Sequence, residues 1–141
     1  MKKILVMGLP GSGKTTLSLE LAKILNAVHF NADEIRKEVN KDLGFNPQDR
    51  IEHARRMGKL CDIVVRSRQY AIADFVCPTE ETREAFGLEN TFIVFVNRTP
   101  IRNYIDTTEM FVKPSNSHII VDNWGSPSYW ASKIKHNNNF I

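Results

Sequence analysis

Residues Gly8-Leu9-Pro10-Gly11-Ser12-Gly13-Lys14-Thr15 fill every fixed position of the pattern G-x-x-x-x-G-K-[ST]. This stretch constrains the fold, because such a loop works only between a strand and a helix. The glycines let backbone N–H groups turn inward around phosphates, and the helix that follows adds its positive N-terminal end. A lysine at position 14 reaches the β- and γ-phosphates of a nucleotide, and a hydroxyl at position 15 is a magnesium ligand. Chance would supply the pattern about once in 200 chains of this length at average composition. The flanks supply the required context. Lys3-Ile4-Leu5-Val6-Met7 reads as a buried parallel strand, and Leu17, Leu21, Ile24 and Leu25 follow at helical spacing. Gly8, Gly11, Ser12, Gly13, Lys14, Thr15 and Thr16 are therefore the candidate ATP-binding residues, against the plainer reading of a glycine-rich turn without a ligand.

The rest of the chain continues the alternation. Residues 27–31 read as a second strand, 33–41 as a short polar helix, Asn46-Pro47 as a turn, and 49–67 as a long helix. That long helix sets Ile51, Ala54, Met57, Cys61, Val64 and Val65 on one face. Strands are expected at 71–76, 91–96 and 117–121, and a helix at 79–86. Ser126 followed by Pro127 looks like the cap and first turn of a final helix. Alternating strands and helices predict an α/β fold, a P-loop NTPase three-layer sandwich with a five-stranded parallel sheet and helices on both faces. Ligands of such sheets bind beyond the C-terminal ends of the strands. A length of 141 residues fits one domain over 1–141. The polar tail around Asn137-Asn138-Asn139 is expected to fray.

Composition narrows the function classes. The net charge of +3 suits anionic small substrates and is weak support for a nucleic-acid partner. Two cysteines, Cys61 and Cys77, make no disulfide framework. The apolar opening is cut short at Gly8 and Pro10, and no run approaches the ~18 residues of a membrane helix. A cytoplasmic protein without a membrane partner is expected.

Asn31-Ala32-Asp33-Glu34-Ile35-Arg36 follows the second strand. The expected fold sets that strand beside the phosphate loop, with Asp33 facing the γ-phosphate. A carboxylate there can hold magnesium through water or accept the proton of an attacking hydroxyl, and Lys14 and Asp33 are then the catalytic candidates. An Asp33 that simply caps the helix fits the spacing equally well.

Beyond these residues the chain resembles the adenylylsulfate kinase family. The resemblance runs in order over residues 3–97: the phosphate loop, Asn31 to Arg36, Asp42-Leu43-Gly44-Phe45, Asp49-Arg50-Ile51-Glu52-His53-Ala54-Arg55-Arg56, and Val76-Cys77-Pro78. It implies an ATP-dependent phosphotransferase that uses Mg2+ and phosphorylates the 3′-hydroxyl of adenosine 5′-phosphosulfate. By the same resemblance Thr15 and Asp33 stand on the metal side. Arg36 and Arg50 hold the phosphosulfate, Phe45 stacks on the adenine, and His53 joins the substrate set. A homodimer is left open. Guanidinium forks and an aromatic face suit those tasks. On an isolated helix Arg50, Arg55 and Arg56 would read as a solvated face.

Four departures from the family pattern stand out. The first aspartate of the strand-two motif is Asn31. An asparagine near the substrate is His53, which ordinarily titrates near neutrality. The serine before proline is Cys77. A basic lid after the fourth strand is shortened to Arg98 and Arg102, with Ile105-Asp106 and Phe111 to Pro114 matching its later part. A shortened lid keeps two alternatives in play: a kinase of the same fold for another hydroxyl (a nucleoside, a sugar or a polynucleotide end), and a nucleotide-binding regulator without turnover.

Overall fold

A computed structural model of the chain describes residues 1–98, 110–122 and 125–137. Five strands, β1 (Lys3–Met7), β2 (Val28–Asn31), β3 (Ala71–Phe75), β4 (Thr91–Val96) and β5 (Ile119–Val121), form one parallel sheet in the order β2-β3-β1-β4-β5. Helices α1 (Lys14–Leu25), α2 (Ala32–Glu38), α3 (Pro47–Arg66), α4 (Glu80–Phe86) and α5 (Pro127–Lys135) connect and cover it. The three-layer arrangement follows from the pleat. Successive residues of β1 point to opposite faces, so Ile4 and Val6 pack with Leu17, Leu21, Trp130 and Ile134, whereas Leu5 and Met7 pack with Ala54, Met57, Cys61 and Phe86. All five β1 residues are buried, as a central parallel strand covered on both faces requires.

Gly58 shows how closely α3 is drawn to α4. A Cβ there would lie 2.0 Å from the Phe86 carbonyl oxygen, so any larger residue would push the helices apart. The same junction buries Lys3, whose ammonium donates to the Phe86 carbonyl at 2.9 Å and pairs with Asp62 at 2.9 Å. Ala54, Met57 and Cys61 of the expected long-helix stripe are fully buried, and Ile51, Val64 and Val65 are half-buried.

The structure corrects several expectations. Asn46-Pro47, expected as a turn ahead of a helix from 49, is itself the start of α3. Asn46 caps α3 by accepting from the Asp49 N–H, and Pro47 occupies its first turn, where a missing N–H costs nothing. The α2 helix stops at Glu38, three residues short of the expected end, and β5 begins two residues late, at Ile119. β3 lies between β2 and β1, and the end of β2 nonetheless reaches the phosphate loop as expected, with Asn31 donating to Thr15 Oγ1 at 3.2 Å. Among the described residues no helix is long and apolar enough to cross a membrane. Arg102, Ile105-Asp106 and the Asn138-Asn139 part of the tail lie outside the described residues.

Candidate nucleotide and acceptor site

Residues 8–13 link β1 to α1. Gly13 caps α1 with φ +104 and no side-chain hydrogen bond, a conformation that L side chains resist. The first N–H groups of α1 are thus left without a capping side chain, the arrangement that receives an anion. Lys14 is nearly buried and its Nζ donates to the Leu9 carbonyl at 2.9 Å. Burial pulls its pKa below the usual lysine value, opposed by the negative charges of Asp74 and then Asp33. The Ser12 hydroxyl is buried without a partner among the described residues. Arg98, two residues past the end of β4, donates to the Ser12 carbonyl at 3.1 Å, so it braces the loop and is no simple surface charge.

Asp33 is not the cap of α2. Asn31 takes that place by accepting from the Glu34 N–H at 3.0 Å. Asp33 stands exposed in the first turn of α2 and lines the cleft over Lys14. That disposes of the capping alternative and leaves the carboxylate facing the loop.

The cleft holds about 690 Å³ and runs from the phosphate loop to the α2–α3 region, where Arg36, Phe45, Arg50 and His53 also line it. Asp49 shapes the connection by accepting from the Gly44 N–H at 2.7 Å. Arg36 donates to the Gly44 carbonyl at 2.8 Å, and Arg50 donates through Nε to the Phe45 carbonyl at 2.7 Å. Both guanidiniums approach the Phe45 ring, at 4.3 Å and 5.7 Å from its centroid. Burial, then the neighbouring Arg50 charge, lowers the pKa of Arg36. Two like charges held together in a half-dry cleft favour an anion between them.

His53 departs from the expected neutral titration. It is 2% exposed, and burial, then Arg36 and Arg56, push its pKa down to about 4. Its tautomer is fixed from behind. Arg56 donates to Asn40 Oδ1 at 3.2 Å, which turns Asn40 Nδ2 towards His53 Nδ1 at 2.8 Å. The remaining proton sits on Nε2, a buried donor without a partner among the described residues. Arg56 itself is clamped by Asp42 and Glu52, and the exposed Arg55 pairs with Glu52. Neither lines the cleft, so the solvated-face reading holds for Arg55 while Arg56 serves the fold.

Cys77 also lines the cleft. It is fully buried, with φ +47, and burial pushes its thiol up to about 12, so it is no nucleophile at neutral pH. Buried Arg83 donates to the Cys77 carbonyl at 3.1 Å and to the Val112 carbonyl, while the Val112 N–H donates to the Pro78 carbonyl at 2.7 Å. Phe111 stacks on Phe95 with centroids 5.9 Å apart. Residues 111–112 are therefore tied back to the sheet end beside the cleft.

Asp74 escaped the sequence reading. It lies near the end of β3, 2% exposed, with Oδ1 3.3 Å from the Thr15 hydroxyl. Its Oδ2 accepts from His29 Nε2 at 2.7 Å and from Asn31 Nδ2 at 3.1 Å. A signal was present in the sequence. Ala71-Ile72-Ala73 is an apolar run ending in a carboxylate, a residue type depleted within strands unless something there requires it.

Comparisons with known proteins bear on the family and the fold. The family model described as adenylylsulphate kinase matches residues 2–120. An adenylyl-sulfate kinase of Staphylococcus haemolyticus is 39% identical over 82 residues, 55% of this chain and 41% of that protein. Adenylyl-sulfate kinase 3 of Arabidopsis thaliana is 35% identical over 85 residues, 57% of this chain and 41% of its own length. The matched stretch thus spans less than half the length of these relatives. Among solved structures, the Mycobacterium tuberculosis APS kinase CysC in complex with AMPPNP and APS superposes with a TM-score of 0.81 at 19% identity, covering 94% of this chain and 95% of that one. At that identity the likeness concerns the fold. A sugar kinase of Janibacter shares it at a TM-score of 0.75 and 15% identity, covering 100% of this chain and 96% of its own.

Proposed function

The chain belongs to the adenylylsulphate kinase family, and from that premise we propose that it transfers the γ-phosphate of ATP to the 3′-hydroxyl of adenosine 5′-phosphosulfate. The observation that carries the reading is the convergence of two walls on one cleft. The phosphate loop with Lys14 forms one wall; Arg36, Phe45, Arg50 and His53 form the other, with Asp33 between them. Either wall alone would support only a nucleotide binder.

On this reading residues 8–16 hold the nucleotide phosphates, with Lys14 placing positive charge where charge shifts as the phosphoryl group leaves. The buried, unpartnered Ser12 hydroxyl and the uncapped start of α1 fit an anionic guest. Arg36 and Arg50 grip the phosphosulfate, and Phe45 offers its exposed ring to the adenine. His53 donates one hydrogen bond from Nε2. Asp33 receives the proton of the attacking hydroxyl. Thr15 and Asp33 would face the magnesium ion, Asp33 through water. Bound there, the ion would offset the negative charge of the phosphates.

The same reading treats residues 1–141 as a single cytoplasmic domain. An APS kinase of Thiobacillus denitrificans is hexameric, and self-association of this chain, at least as a homodimer, is measurable by light scattering. The deciding experiment incubates purified protein with ATP, magnesium and adenylylsulfate and scores the 3′-phosphorylated product. Nucleosides, sugars and DNA ends run beside it. Product from one of those acceptors alone would replace adenylylsulfate in the reading, and no product from any acceptor would leave a nucleotide-binding regulator.

A further inference from the structure

A carboxylate buried beside a phosphate loop needs a reason. Asp74 is buried near the end of β3, where an uncompensated charge is costly. In the strand register it lies level with Val6 of β1 on one side and Asn31 of β2 on the other, at the base of the phosphate loop. Its two oxygens face different ways. Oδ2 is saturated by His29 and Asn31. Among the described residues Oδ1 meets the Thr15 hydroxyl, at 3.3 Å. Asn31 also reaches Thr15, donating to its Oγ1 at 3.2 Å. Asn31, Asp74 and Thr15 thus close a triangle whose one carboxylate comes from β3.

We propose that Asp74 is a second carboxylate on the metal side of the nucleotide site, beside Asp33, held in aim by His29 and Asn31. This rests on the reading of the chain as a Mg-nucleotide phosphotransferase. The donor set fits magnesium. Asp74 Oδ1 and Thr15 Oγ1 are hard oxygen donors 3.3 Å apart, the ligand type magnesium takes. Magnesium in such sites takes one or two protein oxygens and completes its shell with water and substrate phosphates.

The Asn31 departure gains a meaning here. The family pattern carries aspartate at position 31. A carboxylate there would stand within hydrogen-bond reach of both Thr15 and Asp74, and two carboxylates so close repel each other. With Asn31 the position donates to Asp74, so this chain keeps a single negative charge at the junction and places it on β3. His29 and Asn31 are positioning residues: each fixes Oδ2, and through it the aim of Oδ1. A plainer reading makes Asp74 a polar tie between β2 and β3 that has no dealings with a metal.

Isothermal titration separates the two. ADP is titrated into the intact chain in EDTA and again in excess magnesium chloride, and the ratio of affinities is the magnesium increment. Asp74→Asn is expected to lower that increment about tenfold while Mg-free ADP affinity stays constant or rises. Electron paramagnetic resonance of Mn2+ with ADP should show a matching loss of bound ion. The reciprocal exchange, Asn31→Asp with Asp74→Asn, keeps the bond between the two positions and returns a carboxylate to β2. It should restore the increment. An unchanged increment in Asp74→Asn overturns the proposal. If Asp74→Asn fails to fold, the reciprocal exchange decides: a restored increment supports the assignment, and none overturns it. Wild-type protein that binds no ADP at all would instead sink the kinase reading.

Discussion

Lys14 and Asp74 stand on a helix start and a strand end that the sheet itself fixes, whereas Phe45 and Arg50 stand on the α2–α3 connection and the first turn of α3. The first pair is 8% and 2% exposed; Phe45 is 64% exposed. The nucleotide wall is therefore organised by the core. Its groups keep their places because β1 and β3 are buried on both faces and α1 packs Leu17 and Leu21 into the core, and they can offer preorganised charge. The acceptor wall is organised by its own side chains. Arg36 and Arg50 hold carbonyls 44 and 45 and lean on Phe45, contacts that a substrate can exchange for its own. Changes on the first wall should strike the chemical step, and changes on the second should strike acceptor affinity.

Lys14→Ala should give the largest effect. It removes the one ammonium among the loop residues, and transfer should fall roughly 10³-fold, at the upper range for loss of one preorganised donor. Mg-ATP affinity, followed by titration calorimetry, should drop with it. A variant with ordinary affinity and turnover would break the nucleotide wall as drawn. Asp33→Asn should come next, with turnover lowered about 10²-fold, the lower end of the range for general-base loss. Because Asp33 is exposed and caps nothing, stability and nucleotide binding should hold. Normal turnover in this variant would reduce Asp33 to a surface carboxylate.

The two walls also differed in how far they could be read from sequence. The phosphate loop was fully legible, since its residues and its strand–helix context are local. The Arg36–Phe45–Arg50 wall was legible only through resemblance, because nothing in the spacing of two arginines says that they share one aromatic ring. Asp33 could not be told from a cap until Asn31 was seen to hold that place. Asp74 and His29 were missed because their meaning depends on sheet order. They are 45 residues apart in sequence, and only the insertion of β3 between β2 and β1 brings Asp74 to Thr15 and His29 to Asp74. His53 was misjudged for a similar reason. Its burial, and the hydrogen bond from Asn40, come from tertiary packing that lowers its pKa far from 6.5.

That depressed pKa makes His53 an acid-sensitive element of the acceptor wall. The unfolded chain binds the His53 proton below about pH 6.5, the folded chain only below about 4. Between these values the unfolded state holds more protons, so stability is fully present above pH 6.5 and falls as the pH drops towards 4. Arg36 from α2 and Arg56 from α3 both face the ring and oppose its protonation. Between pH 7 and pH 5 the loss from this group should be about 2 kcal/mol. Glu52, held down to about 2 by Arg55 and Arg56, titrates below this window. Urea unfolding at the two pH values checks the sign. His53→Asn should flatten the difference, and an equal slope in both proteins would mean that the ring is already charged or already solvated in the fold.

Phe45→Ala should give the smallest effect and the sharpest contrast between the walls. The ring is mostly exposed, so its removal should change stability by no more than about 0.5 kcal/mol. Acceptor binding is another matter. Stacking of a base on an aromatic ring is worth roughly 1–3 kcal/mol. Part of that is offset in the free protein, where the Arg36 guanidinium 4.3 Å from the centroid already uses the ring for roughly 0.5–1 kcal/mol. The net loss should be about 1–2 kcal/mol, or on the order of tenfold in adenylylsulfate affinity. ATP affinity should stay at the wild-type value, because no residue of the phosphate loop touches this ring. Phe45→Tyr keeps the face and should keep the affinity. Calorimetry with each ligand in turn separates the outcomes. Equal losses for both ligands would mean that the acceptor wall is mechanically part of the nucleotide wall, and unchanged adenylylsulfate binding would remove Phe45 from the acceptor site.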